Sequence, residues 1–421
     1  MQIKIAYGRN GLEIDFPDDT DVIRPEFSHG LPDETQVIRQ ALRNPIKSKP
    51  LREIVQRGQK IVIVHTDITR ATPNDRILPV ILSELKQAGI EPENIKLLNG
   101  LGTHRKQSRD ELQLMLGDKI VDEYTCIQHD CFDDDHMTLV GELHSGKNLR
   151  LNQTFMEADI KILTGFIEPH FFAGFSGGPK AVLPALSAYE SVFSNHGFRK
   201  IAHPNASWGI TIGNPIWEEM ALAAKMSHPD FLVNVSLNDK QEITGVFAGD
   251  MMAAHAKGCE FVKSQSMIPI DHPFDIVVTT NSGYPLDQNL YQSVKGMSAA
   301  ARIVREGGAI IIASACEDGL PDHGGYGDLL RQGGSPAGVL KMVSQPDFKS
   351  PDQWQVQIQA QIQMKADMYV YSDGLTDNQI TDALCIPCNN IQALMSKLAL
   401  EKGNRICVLP DGPQVIPYLA Q

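Results

Sequence analysis

Short apolar runs alternate with helix-forming stretches along most of this chain, and that alternation leaves few folds open. Strands separated by helices end up parallel in a shared sheet, so the pattern predicts α/β architecture. A first series has strands at 61–64, 95–98, 160–163 and 231–237, the last paired with 243–247. Helices are expected over 73–88 and over 250–263, the latter capped by Asp250. Ser108-Arg-Asp-Glu111 and Ser187-Ala-Tyr-Glu190 have the spacing of a capping box, in which hydroxyl and carboxylate each satisfy an orphan N–H. Two prolines within 266–273 break the pattern. Beyond them lies a second series, with strands at 275–279, 309–313, 368–371 and 405–409 and a Gly/Pro-rich loop over 319–338. A chain of 421 residues exceeds one ordinary core. The expectation is therefore two α/β domains with mainly parallel sheets, 1–268 and 269–421, and an active site in the cleft between them.

Charge narrows the partners. With 38 basic against 51 acidic residues the net charge is −13, which argues against nucleic acid or an anionic membrane. A small anionic substrate stays open, because a local basic pocket overrides the global field. No apolar run reaches the roughly 18 residues that span a bilayer. The N-terminal run, Met1-Gln-Ile-Lys-Ile-Ala-Tyr7, reads as a first strand rather than a leader peptide. The seven cysteines are an odd number, scattered, which suits reduced thiols and a cytoplasmic location. Cys385-Ile-Pro-Cys388 has the form of a redox pair but lies far from any thioredoxin-like strand–helix start.

Ligands of α/β sheets sit beyond the carboxyl ends of strands, and four polar clusters fall there. They are His65-Thr-Asp67-Ile-Thr69-Arg70, Gly100-Leu-Gly102-Thr-His104-Arg105, the loop from Gly165 through His170 to Lys180 with Asn195-His196 after it, and Ser282-Gly283-Tyr284 leading to Tyr291, Gln292 and Lys295. Each also has a plain reading: a capping turn before Pro73, a tight turn with solvated charges, an exposed lysine on a helix face. His29, His129, His136, His144, His228 and His323 read as surface. The coincidence of so many imidazoles and cations at strand exits makes a basic pocket suited to a carboxylate. Gly177-Gly178-Pro-Lys180-Ala is not a Walker loop, since no hydroxyl follows the lysine. The zincin His-Glu-x-x-His and an early Gly-x-Gly-x-x-Gly are missing, and Gly174-Phe-Ser176-Gly177-Gly178 has the shape of a hydrolase Gly-x-Ser-x-Gly elbow but Phe and Gly flank its serine. Ser176-Gly177-Gly178 reads as a nest of backbone N–H groups for a phosphate.

Taken together, Asp67-x-Thr69-Arg70, Gly102-x-His104-Arg105, His170-Phe-Phe-Ala-Gly174-Phe-Ser176-Gly177-Gly178-x-Lys180, Asn195-His196 and Gly283-Tyr-Pro-Leu-Asp287-Gln-Asn289-x-Tyr291-Gln292-x-Val-Lys295-Gly-Met297 resemble the nickel-dependent lactate racemases over essentially the whole chain. The resemblance implies a nickel pincer nucleotide, a pyridinium mononucleotide with two thiocarbonyl arms, tethered at Lys180, with His196 as the nickel ligand. It implies racemisation of a 2-hydroxy acid, foremost D- and L-lactate, by proton abstraction and reversible hydride transfer through a 2-keto acid. His104 and His170 match the two bases, one for each enantiomer. Arg70 and Lys295 match the carboxylate clamps, with Gln292 and Tyr291 steadying substrate and Trp354 walling the pocket. Asp67, Thr69, Ser176, Gly177 and Gly178 fall to the cofactor. Proteins that build and insert the cofactor are implied partners.

The chain departs from the family's usual pattern at Ala71-Thr72-Pro73, at Ala185-Leu186 and at Pro169. Two rival readings are a racemase or epimerase of malate, phenyllactate, longer 2-hydroxy acids or aldonic acids, and a nickel- or cofactor-binding protein without turnover. Retention of both His104 and His170 counts against the second.

Overall fold

The apolar runs of the first series become one sheet in the computed structural model, which describes residues 1–26, 28–321 and 325–420. Strands β1 (Ile61–Thr66), β2 (Ile95–Gly100), β3 (Thr125–Gln128), β4 (Ile160–Phe166) and β5 (Phe231–Leu237) are parallel, and β6 (Ile243–Gly249) lies antiparallel to β5. Both faces of β1, β4 and β5 are buried, which is why they read as unbroken apolar runs rather than alternating ones. The strand order is β6-β5-β4-β1-β2-β3. Successive strands thus run outward from β1 in one direction and from β4 in the other. At that reversal the connections diverge and leave a crevice beyond the carboxyl ends of β1 and β4. Helices α1 (Asn74–Gln87), α2 (Tyr189–Asn195), α3 (Pro215–Ser227) and α4 (Met251–Ser266) accompany this sheet. The last is held at its start by Asp250, whose carboxylate accepts from the Ala253 N–H.

These elements form one compact unit, Phe27–Gln265. The other unit joins Ser266–Gln421 to Met1–Glu26. Its sheet is built on β7 (Phe274–Thr280), β8 (Val304–Ala313), β9 (Asp367–Tyr371), β10 (Ile386–Pro387) and β11 (Ile406–Leu409), in the order β10-β9-β8-β7-β11, all parallel. Helices α5 (Leu290–Ala301) and α6 (Gln353–Lys365) belong to it.

The expected division at 268 therefore needs correcting at the N-terminus. Asp21 and Val22 pair with Cys407 and Val408 at the edge of the second sheet, and Ile3, Ile5, Tyr7, Ile14 and Phe16 join its core. Unlike a terminal strand that pairs nearby, this one finds its partner almost 400 residues on, which no local signal announces.

Other corrections are local. The capping box at Ser108 forms, but Ser187 does not cap a helix: α2 starts at Tyr189, and the Ser187 hydroxyl donates to the Pro184 carbonyl. The expected loop over 319–338 contains helices Tyr326–Gly333 and Pro336–Val343, with 322–324 outside the described residues. The 266–273 break contains a strand, Met267–Ile270, paired with Ile416–Leu419. Cys385 and Cys388 are free and buried, and burial pushes their thiols up to about 12 and about 11, so neither is a reactive thiolate. Among the described residues no helix is long and apolar enough to cross a membrane.

Gly296 shows how tightly α5 meets its sheet. A Cβ there would lie 2.0 Å from the Thr280 carbonyl oxygen at the end of β7. Alanine normally gains up to about 1 kcal/mol over glycine within a helix. Here the clash reverses the sign, and Gly296→Ala is expected to cost about 1–3 kcal/mol. A lowered denaturant midpoint at constant slope is the expected result; a variant as stable as the parent would contradict the packing.

Candidate active site

The turn leaving β1 carries Asp67, which is 3% exposed. One carboxylate oxygen accepts from the Thr69 N–H (2.7 Å) and from its hydroxyl (2.5 Å), and the other lies 2.7 Å from His104 Nδ1. Burial raises this carboxyl, but the hydrogen bond and charge of His104, with Arg70 and Thr69, outweigh it and bring it down to about 2. His104 rides on the exit from β2, its N–H donating to the Leu101 carbonyl, while Gly102 donates to Ala185 and ties this loop to the segment after Lys180. Arg70 donates its backbone N–H to the Asp67 carbonyl. Among the described residues its guanidinium lies within 4.0 Å of no carboxylate oxygen. Arg105 instead pairs with Glu111 at the surface, so for it the solvated reading holds.

The exit from β4 brings three more predicted residues together. Pro169 and His170 pair with Phe175 and Gly174, and a Cβ at Gly174 (φ +79°) would meet the Ile210 carbonyl at 2.1 Å, so only glycine closes this turn. Inside it the Ala173 N–H donates to His170 Nδ1 at 3.2 Å. The ring of Phe172 is the meeting point: His170 lies edge-on at 4.5 Å, His196 edge-on at 5.0 Å, and Lys180 Nζ is 5.9 Å from its centre. Phe171 and Trp208, both buried, extend the apolar wall.

The phosphate-nest reading of Ser176-Gly177-Gly178 does not survive. The N–H of Ser176 donates to the Glu168 carbonyl and that of Gly178 to Asn234 Oδ1 at 2.8 Å. These glycines serve close approach instead: a Cβ on Gly178 would sit 2.4 Å from the His255 ring, whose Nε2 donates to the Ser176 carbonyl at 2.9 Å. Asn234 and His255 thus clamp the loop that presents Lys180.

His196 caps the C-terminus of α2 and is 5% exposed. Burial, with Lys180 and Lys200 nearby, holds its ring well below the usual imidazole range. It is neutral at pH 7, the form that ligates a metal. The turn bearing it is fixed by the buried Glu219 of α3, which accepts from Asn195 Nδ2 at 3.0 Å and pairs with Lys200. Sequence reading missed Glu219, Asn234 and His255. Glu219 carried a signal, a carboxylate three after Ile216 and four before Ala223 on the buried stripe of α3, and Asn234 another, a lone amide inside an apolar strand.

Tyr291, Gln292 and Lys295 share one face of α5, and Trp354 opens α6, all in the other unit. His129, expected at the surface, is buried and bonded to Ser187 O, and His323 lies outside the described residues.

Residues 7–209 match the family model for the lactate racemase N-terminal domain and 270–417 that for the lactate racemase C-terminal domain. A lactate racemase of Thermoanaerobacterium thermosaccharolyticum is 36% identical over 98% of both chains, and one of Lactiplantibacillus plantarum 38% identical over 92% of both. The solved apoprotein of the former superposes with a TM-score of 0.92 at 36% identity, covering 99% of this chain and 100% of that one. A Thermotoga maritima protein at 19% identity, TM-score 0.70 and coverage of 94% and 100% shares the fold.

Burial of so much imidazole has a cost in acid. His65, His129 and His255 are each brought down to about 4, chiefly by desolvation, against 6.5 for the unperturbed ring. Below 6.5 the unfolded chain binds protons that the folded one refuses, so stability falls as pH drops from 6.5 toward 4. Each ring accounts for about 3 kcal/mol over that window. Urea midpoints of the full chain should drop steadily between pH 7 and 5, less steeply in His129→Asn; a flat profile would show these rings to be protonated in the fold.

Proposed function

This chain belongs to the lactate racemase family, and on that premise we propose that it interconverts D- and L-lactate with a nickel pincer nucleotide tethered at Lys180. One observation carries the reading: His170, Lys180 and His196 converge on the Phe172 ring. The donor set suits the group. His196 is neutral and buried, and Lys180 supplies an amine for a covalent tether. Among the described residues no cluster of three or more His, Cys, Asp or Glu side chains is placed to hold a metal. His196 would therefore be a single protein ligand beside donors that the cofactor brings. When bound, the cofactor supplies the acceptor that takes and returns the substrate's α-hydrogen with its electron pair.

The chain's own residues do the rest. Arg70 and Lys295 neutralise the substrate carboxylate, and Gln292 and Tyr291 steady it. His104 and His170 exchange the hydroxyl proton, one for each enantiomer. Phe171, Phe172 and Trp208 form an apolar wall beside His170, which suits a substrate with a short apolar side chain such as lactate. Asp67, with Oδ2 2.7 Å from His104 Nδ1, orients that ring. Partner proteins make and insert the cofactor.

The full chain, co-expressed with enzymes that build the cofactor, should carry a mass adduct on Lys180 and nickel, and should convert pure D-lactate into L-lactate. His104→Ala and His170→Ala should keep adduct and nickel and lose turnover by roughly 10²–10⁴-fold. Lys180→Ala should carry no adduct. Absence of adduct and nickel from the parent chain, or an adduct that persists in Lys180→Ala, would overturn the proposal.

A further inference from the structure

We propose that the two histidines are built as opposite tautomers: Asp67 is a positioning residue that makes His104 a ready base at Nε2, whereas His170 is held with its proton on Nε2. The proposal deepens the racemase reading and rests on it for its catalytic meaning, though not for the tautomers themselves.

Three facts fix the state of His104. The Asp67 carboxylate is ionised and buried, and an ionised carboxylate only accepts hydrogen bonds. Its Oδ1 is occupied by both donors of Thr69, so Oδ2 is left to the imidazole. The 2.7 Å separation from Nδ1 is that of a charge-assisted bond. Nδ1 therefore bears the hydrogen, and the neutral ring presents a lone pair at Nε2. When Nε2 takes a proton from a substrate hydroxyl, the O–H bond breaks, an N–H bond forms, and the resulting imidazolium rests against a carboxylate that stays ionised. The ring is 39% exposed, enough for a small substrate arriving from solvent to reach it.

His170 faces the reverse condition. A backbone N–H has no lone pair to offer, so the bond from Ala173 obliges Nδ1 to accept. The neutral ring then carries its hydrogen on Nε2. A second proton would set two N–H groups head to head at Nδ1, and the turn is tied on both sides: His170 is bridged to Gly174, whose carbonyl accepts from the Gly209 N–H at 3.0 Å. His170 thus begins as a hydrogen-bond donor toward the substrate oxygen, and must change tautomer before it can accept a proton. The neutral enzyme thus offers the substrate oxygen a proton acceptor in His104 and, in His170, a hydrogen-bond donor that keeps its own proton, since a neutral imidazole that lost it would be an imidazolate.

The test reads the rings directly. In the full chain labelled with ¹⁵N-histidine, long-range proton–nitrogen correlations, assigned by His104→Gln and His170→Gln, should give Nδ1–H for His104 and Nε2–H for His170. In Asp67→Asn the amide donates to Nδ1, so His104 should switch to Nε2–H. Turnover should then fall by roughly 10²–10⁴-fold, as when the carboxylate of a Ser-His-Asp triad becomes an amide, while the Lys180 adduct and nickel remain. Asp67→Glu should restore Nδ1–H and part of the rate. Nε2–H on His104 in the parent chain, or full turnover in Asp67→Asn, would overturn the proposal. Loss of the adduct together with turnover in Asp67→Asn would make Asp67 structural and overturn it too. Because the tautomers are read without cofactor or lactate, a chain that racemises nothing would sink the functional reading and still leave the ring signals to decide this one.

Discussion

Everything at the candidate site depends on one reversal of strand order. Because β1 and β4 are neighbours in the sheet while the connections after them lead in opposite directions, loops from both meet beyond their carboxyl ends. The loop after β1 delivers Asp67, the loop after neighbouring β2 brings its partner His104, and the loop after β4 delivers His170 and Lys180. The His104 loop is closed by a backbone bond to Leu101 and tied by Gly102 to Ala185, and the Lys180 loop is held by Asn234 and His255. Glycine is required where the loop makes close contact, as Gly174 does with Ile210 and Gly178 with His255.

That arrangement explains what was legible in the sequence. Strands buried on both faces leave continuous apolar runs, so their exits, and the polar residues on them, were readable without a structure. Capping by Ser108 was readable because hydroxyl and carboxylate act within one helical turn. Ser187 had identical spacing but found a nearer acceptor in Pro184 O, and its own carbonyl bonds His129. The phosphate nest failed for a related reason: glycines that can expose N–H groups can equally bury them, and the acceptor on Gly178 comes from Asn234, 56 residues away. The allegiance of the first 26 residues and the burial of His129 likewise depend on partners distant in sequence. Patterns whose energy is local were legible; those settled by a remote partner were not.

Phe172 shows how side chains with conflicting electrostatic needs share one loop. Its ring displaces water from between His170, His196 and Lys180, and a drier surrounding penalises every charge nearby. For His196 the penalty is useful, since it keeps the imidazole neutral, and the cations of Lys180 and Lys200 push the same way. For Lys180 the penalty is partly offset, because an ammonium within about 6 Å of a ring centre is attracted to the π face. His170 and His196 instead stand nearly perpendicular to the Phe172 ring, the geometry that aromatic quadrupoles favour. Replacing the ring by an aliphatic side chain would keep the dryness but lose the face that tolerates the amine. An aromatic here thus reconciles a metal ligand that must stay neutral with a lysine that brings a charge into the same dry loop.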